Sequence, residues 1–144
     1  MKKFTFRLES LREWRTFEQE REEERMRQLF REGQELDSAA GALEEAAREA
    51  DLFVRQGGLF SGEWQTLSSF RRHVSAERQR LGQARAALET RIDSQRRSLV
   101  EANRKVEVLN RLKADKREQW RQQLDKEQEE TVAELVVARW RSAT

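Results

Sequence analysis

Arg55-Gln56-Gly57-Gly58-Leu59-Phe60-Ser61-Gly62 holds three of the chain's six glycines, and the long stretches on either side share the other three. Gly57 is placed to end a helix in the left-handed conformation that glycine adopts without steric cost. Ser61 is a suitable cap for a new helix, with Glu63 favourable in its positive first turn. The segment therefore predicts one helix over about 7–55, a turn over about 56–61 and a second helix over about 62–139. At ~1.5 Å per residue the two arms would be roughly 70 and 115 Å long.

Outward from the turn, both arms carry a seven-residue apolar repeat. In the second arm Leu67, Val74, Leu81, Leu88, Gln95, Ala102 and Leu109 recur at that interval. Ile92, Leu99, Val106 and Trp120 supply the complementary spacing. In the first arm Leu29, Leu36, Leu43 and Ala50 recur, accompanied by Met26, Gly33, Ala40, Ala47 and Val54. A sustained seven-residue repeat implies a left-handed coiled coil.

Residue numbers test how the arms pair. In a chain folded back on itself, facing positions have numbers that add to a constant. Ala50 with Leu67, Leu43 with Val74, Leu36 with Leu81 and Leu29 with Leu88 all add to 117, as do Leu11 with Val106 and Leu8 with Leu109. Gly33, Ala40 and Ala47 fall near Arg85, Arg78 and Arg71, so small residues face long side chains whose stems can cover the seam. The reading is an all-α fold: one long antiparallel two-helix coiled-coil hairpin with the second helix overhanging. A parallel dimer is the weaker alternative.

The seam is thin, and ion pairs within each helix are expected to support it: Glu23–Arg27, Glu44–Arg48, Asp93–Arg97, Glu101–Lys105 and Glu107–Arg111. Between Glu18 and Arg25 the first arm has no apolar residue, and that stretch is expected to pack weakly or fray. Beyond about residue 114 the second arm has no facing residues left, yet it carries Trp120, Leu124, Leu135, Val136, Val137 and Trp140. Unpaired apolar side chains on a helix mark a surface for another protein.

Composition agrees with long helices. Of 144 residues, 39% are charged and 36% hydrophobic, too polar for a domain with a thick core, and there is no proline. Disordered chains are typically proline-rich, whereas a proline inside a helix costs about 3 kcal/mol. The absence of cysteine removes disulfides and thiolate chemistry. No signal-peptide pattern or apolar run near the ~20 residues of a membrane span is evident, so a cytoplasmic chain is expected. Residues 1–60 hold 11 Lys and Arg against 14 Asp and Glu, and residues 61–144 hold 18 against 13. An acidic first arm can thus attract a basic second arm.

Chemistry has little to work with. His73 is the single histidine and reads as a helix-surface residue, a poor metal ligand without converging cysteines or carboxylates. There is no nucleophile–base pair, and no Gly-Lys-Ser/Thr phosphate loop follows the turn glycines. No catalytic, cofactor or metal site is expected. The second-arm arginines are interrupted by Glu77, Glu89, Asp93 and Glu101, which argues against a nucleic-acid track. Four tryptophans carry more information. Trp64, opposite Val54, is placed to plug the turn end. Trp14, Trp120 and Trp140 are too bulky for a two-helix seam, and Trp120 and Trp140 are the candidates for partner contact.

The opening Lys3-Phe4-Thr5-Phe6-Arg7-Leu8-Glu9-Ser10-Leu11 resembles the start of the FliJ family of bacterial flagellar export proteins. Two further stretches are similar to that family: Ser61-Gly62-Glu63-Trp64-Gln65-Thr66-Leu67-Ser68-Ser69-Phe70, like the beginning of its second helix, and Val108 to Arg121, like its L-x-x-L-K-x-x-R-x-x-x-W/Y-R pattern. The resemblance implies a non-enzymatic component of the type III export apparatus, shaped like the stalk of a rotary ATPase. It would be monomeric alone, in the cytoplasm and peripheral at the inner membrane through its partners only. Those partners would be the export ATPase hexamer, the cytoplasmic domain of the export gate, and export chaperones with their substrates. The gate-contacting surface would map onto Phe70, Val74, Glu77 and Leu81. Glu77 stands where that pattern leads one to expect a small apolar residue, and the seam register claims Val74 and Leu81. The equivalent stalk of a virulence-type secretion system, or a generic coiled-coil scaffold, are the other readings.

Overall fold

The computed structural model describes residues 2–57 and 62–144. They form two helices, α1 (Glu9–Arg55) and α2 (Glu63–Ala143), in a helical hairpin. Helix α1 starts two residues later than its apolar pattern suggests, and α2 runs four residues further. At the end of α1, Gly57 takes φ of 74° and its N–H donates to the Val54 carbonyl at 3.1 Å. The left-handed termination expected of Gly57 is therefore present. The cap expected at Ser61 lies outside the described residues.

The chain divides into two compact units, Arg21–Leu99 and Met1–Glu20 with Val100–Thr144. In α1 the boundary falls inside the stretch that has no apolar residue.

In the Arg21–Leu99 unit the two arms run antiparallel, and the buried side chains are Met26, Leu29, Leu67, Val74, Leu81 and Leu88. Every α2 leucine or valine of the seven-residue repeat is buried here, while Leu36 and Leu43 of α1 are half-buried. The asymmetry follows from the sequence: α1 alternates its leucines with Gly33, Ala40 and Ala47, which let the larger α2 side chains sink in. Each such Leu contributes about 1.5–3 kcal/mol by leaving water.

Polar contacts confirm the register. Gln95 Nε2 donates to the Glu22 backbone carbonyl at 3.0 Å and also reaches its carboxylate, a pair whose numbers add to 117. A flanking row adds to 122: Arg78 with Glu44 at 2.6 Å, Arg85 with Asp37 at 3.6 Å and Arg71 with Asp51 at 3.5 Å. Acidic side chains of the first arm thus meet basic ones of the second.

Several expectations are corrected. Residues 18–25 are helical throughout, with Arg25 bonded to Glu22 at 2.7 Å; hydrogen-bonding polar side chains replace the missing apolar layer. Of the five intrahelical pairs, only Glu107–Arg111 forms. Arg48, Arg27, Arg96 and Arg104 instead meet acids three residues earlier, and Glu44 turns to Arg78 across the hairpin. Trp64 is 53% exposed and does not plug the turn end.

In the other unit Ala102, Val106 and Leu109 of α2 are buried against the start of the chain. Gln19 donates to Asn103 at 2.6 Å and Arg12 to Asn110 at 3.3 Å, so these pairs also add to 122. Leu11 is 39% exposed, on the rim and not in the core position expected of it beside Val106. Arg12, Gln19 and Glu22 of α1 reach α2, and with half-buried Leu8 and Arg15 they continue a four-three spacing that leaves Leu11 one place outside.

Candidate functional site

Ahead of α1, residues 2–6 carry no helix, and their burial alternates: Phe4, Phe6 and Leu8 are half-buried, while Lys3, Thr5 and Arg7 are exposed. A period of two is what an extended strap produces when one edge lies on a surface. The strap is pinned at Trp120. The Trp120 indole Nε1–H donates to the Lys2 carbonyl at 3.2 Å, and the Phe4 ring lies 5.9 Å from the Trp120 ring at 51°. Lys2, Lys3, Phe4, Arg7, Leu112 and Lys116 are among the residues lining an open groove beside that contact.

Trp120 is therefore half-buried, and α2 keeps an intramolecular neighbour beyond residue 114, contrary to the sequence expectation. The missed signal was the alternation of Phe4 and Phe6 with polar residues, which a search for helical periods passes over.

Below the strap, Glu9 ties the arms of this unit together. It pairs with Arg12 at 2.6 Å and with Lys113 at 2.9 Å. The Arg12 guanidinium, and then the Lys113 ammonium, hold its carboxyl at about 2, well below the usual carboxylate range. Beyond Leu124 every residue of α2 is exposed. Trp140 is 69% exposed, Leu135 64%, Val136 61% and Val132 59%. Trp120 and Trp140 thus part company: the first anchors the strap, the second stands open.

The four positions mapped near the start of α2 also divide. Val74 and Leu81 are buried in the hairpin seam. Phe70 is half-buried, and Glu77 is bonded to Arg80 at 2.9 Å, which lowers its carboxyl below the ordinary range. Phe70 and Glu77 alone present side-chain surface outward.

Other depressions among the described residues are open grooves along the helices, and no group of His, Cys, Asp and Glu among the described residues could hold a metal ion. No described helix is long and apolar enough to cross a membrane. The model of the flagellar FliJ protein family matches residues 3–144, nearly the whole chain. The chain belongs to the FliJ family. No curated protein and no solved structure matches it. FliJ membership makes this a flagellar export-related protein. The opening Lys3-Phe4-Thr5-Phe6-Arg7-Leu8 that resembled the FliJ start is the strap itself, so this motif has a structural role in closing the chain's beginning over Trp120.

Proposed function

We propose that this FliJ-family protein is a stalk and adaptor of the flagellar type III export apparatus. In this reading it docks into the export ATPase ring through the strap, the Trp120 region and the exposed end of α2. It also meets the cytoplasmic domain of the export gate through the Phe70 surface, and helps to hand over chaperone–substrate complexes. Its place is the cytoplasm, peripheral at the inner membrane through those partners. The observation that carries the reading is an α2 end that keeps Val132, Leu135, Val136 and Trp140 in water within a family of export proteins. Exposed apolar side chains grouped on one helix end mark a protein contact.

The test is the ATP hydrolysis rate of the cognate export ATPase with and without stoichiometric protein. The truncation that isolates the exposed end should remove residues 128–144, because cutting at 114 would also take away Trp120 and unseat the strap. Stimulation by the full chain that is lost on this truncation supports the stalk reading. No stimulation at ATPase concentrations that allow hexamers refutes the ATPase role.

A further inference from the structure

Two surfaces of the Met1–Glu20 and Val100–Thr144 unit complement one another but cannot meet within one chain. The first is the strap groove, where Lys2, Lys3, Arg7 and Lys116 rim the Phe4, Leu112 and Trp120 side chains with no carboxylate among the lining residues. None of those four cations has an ion-pair partner among the described residues. The second is the end of α2. Its row Asp125, Glu129, Ala133 and Val137, spaced four apart, runs beside Val132, Val136 and Trp140 on one helix face. That face is anionic where it begins and apolar where it ends. From 125 to 134 the chain holds five acids and one lysine.

Helix α2 is continuous from Glu63 to Ala143, so about 20 Å of rigid helix separate Glu129 from the Lys116 of its own chain. Against the lone monomer that the family resemblance implies, we propose that the groove is filled by the α2 end of a second copy. An antiparallel twofold pairing centred near Gln122 and Gln123 gives each copy's anionic face to the other's basic groove. Such an arrangement closes at two copies. It covers Val132, Val136 and Trp140, and it withdraws from other partners the same end of the molecule that the stalk reading requires. The free protein and the docked protein would then be alternative states.

Sedimentation velocity on the full chain at low salt tests this. Wild type is expected at twice 17.1 kDa, shifting toward 17.1 kDa as salt screens the contact. A groove variant, Lys2→Glu/Lys3→Glu/Lys116→Glu, and a tail variant, Asp125→Lys/Glu129→Lys/Glu130→Lys, should each sediment at 17.1 kDa. An equimolar mixture should return to twice that mass, because every reversed groove then meets a reversed tail. Recovery in the mixture also shows that both variants are folded. Three results would overturn the proposal: wild type monomeric at all concentrations, a dimer indifferent to both reversals, or a mixture that stays monomeric. A parallel dimer would give the second of these. Wild type that stays monomeric while its groove captures an acidic peptide or anionic vesicles would assign the groove to that occupant instead.

Discussion

The guanidinium of Arg85 lies across Gly33, its Nη1 only 2.6 Å from where a Cβ on that glycine would stand. Leu88 Cδ2 is the next neighbour at 3.4 Å. Gly33 is buried within α1, so the helix bears the cost of a glycine in its interior. A single methyl needs only the far end of a flexible arginine to move. Gly33→Ala should therefore be neutral or raise stability by up to about 1 kcal/mol, the helix-propensity difference. Gly33→Leu must displace Leu88 as well and should lower stability by about 1–3 kcal/mol. Urea midpoints of the two variants check this; equal losses would show that Arg85 cannot give way.

The Gln95–Glu22 contact predicts a different kind of non-additivity. Glu22 keeps Arg25 as a second partner, and its side chain is 19% exposed. Gln95→Leu alone leaves a half-buried carboxylate short of one donor and should cost about 1 kcal/mol. Replacing both residues by leucine extends the apolar seam and should recover that loss or exceed it. The register is then less constrained, because a polar seam position penalises slipped alignments. A double-mutant cycle by denaturant unfolding measures the coupling.

Glu9 gives the fold an acid-sensitive point. Its carboxyl is lowered from 4.5 to about 2 by Arg12 first and Lys113 second. A depressed folded-state value means that its stabilisation is complete above about 4.5 and is lost as pH falls from there toward 2. In a Glu9→Gln variant the wild-type loss of stability over that window should shrink, while stability differences above it stay constant with pH. Carboxyl-carbon NMR titration of Glu9 should give a midpoint near 2; a midpoint at the ordinary glutamate value would mean that the Arg12 and Lys113 contacts do not persist in solution.

These residues also show how far the sequence can be read. The hairpin was legible because two independent repeats share one sum, and a single register satisfies Leu29 with Leu88 as well as Glu22 with Gln95. The complementary position changes phase along α2, from three residues after the repeat at Phe70, Glu77 and Ala84 to four after it at Ile92, Leu99 and Val106. The sum itself holds past that change, in Glu22 with Gln95 and in half-buried Leu8 with buried Leu109; Leu11 falls one place off the four-three row of α1 and so lies on the rim. The strap was illegible for another reason. Its period of two occupies too few residues to register, and its partner Trp120 lies more than a hundred positions away.

The Phe70 surface yields the last prediction. Leu81 is 7% exposed and Val74 4%, so both belong to the seam, whereas Phe70 is half-buried on its edge. Leu81→Ala should cost about 2–5 kcal/mol by transfer and cavity together. Any loss of partner binding in that variant would accompany lost helicity and a lower melting temperature. Phe70→Ala should keep more of the stability and, if this edge docks on the export gate, lose binding at full helicity. Isothermal titration of both variants against the gate's cytoplasmic domain, with circular dichroism on the same samples, separates the two cases. Binding that falls in step with helicity in both would mean that this part of α2 is hairpin seam and nothing more.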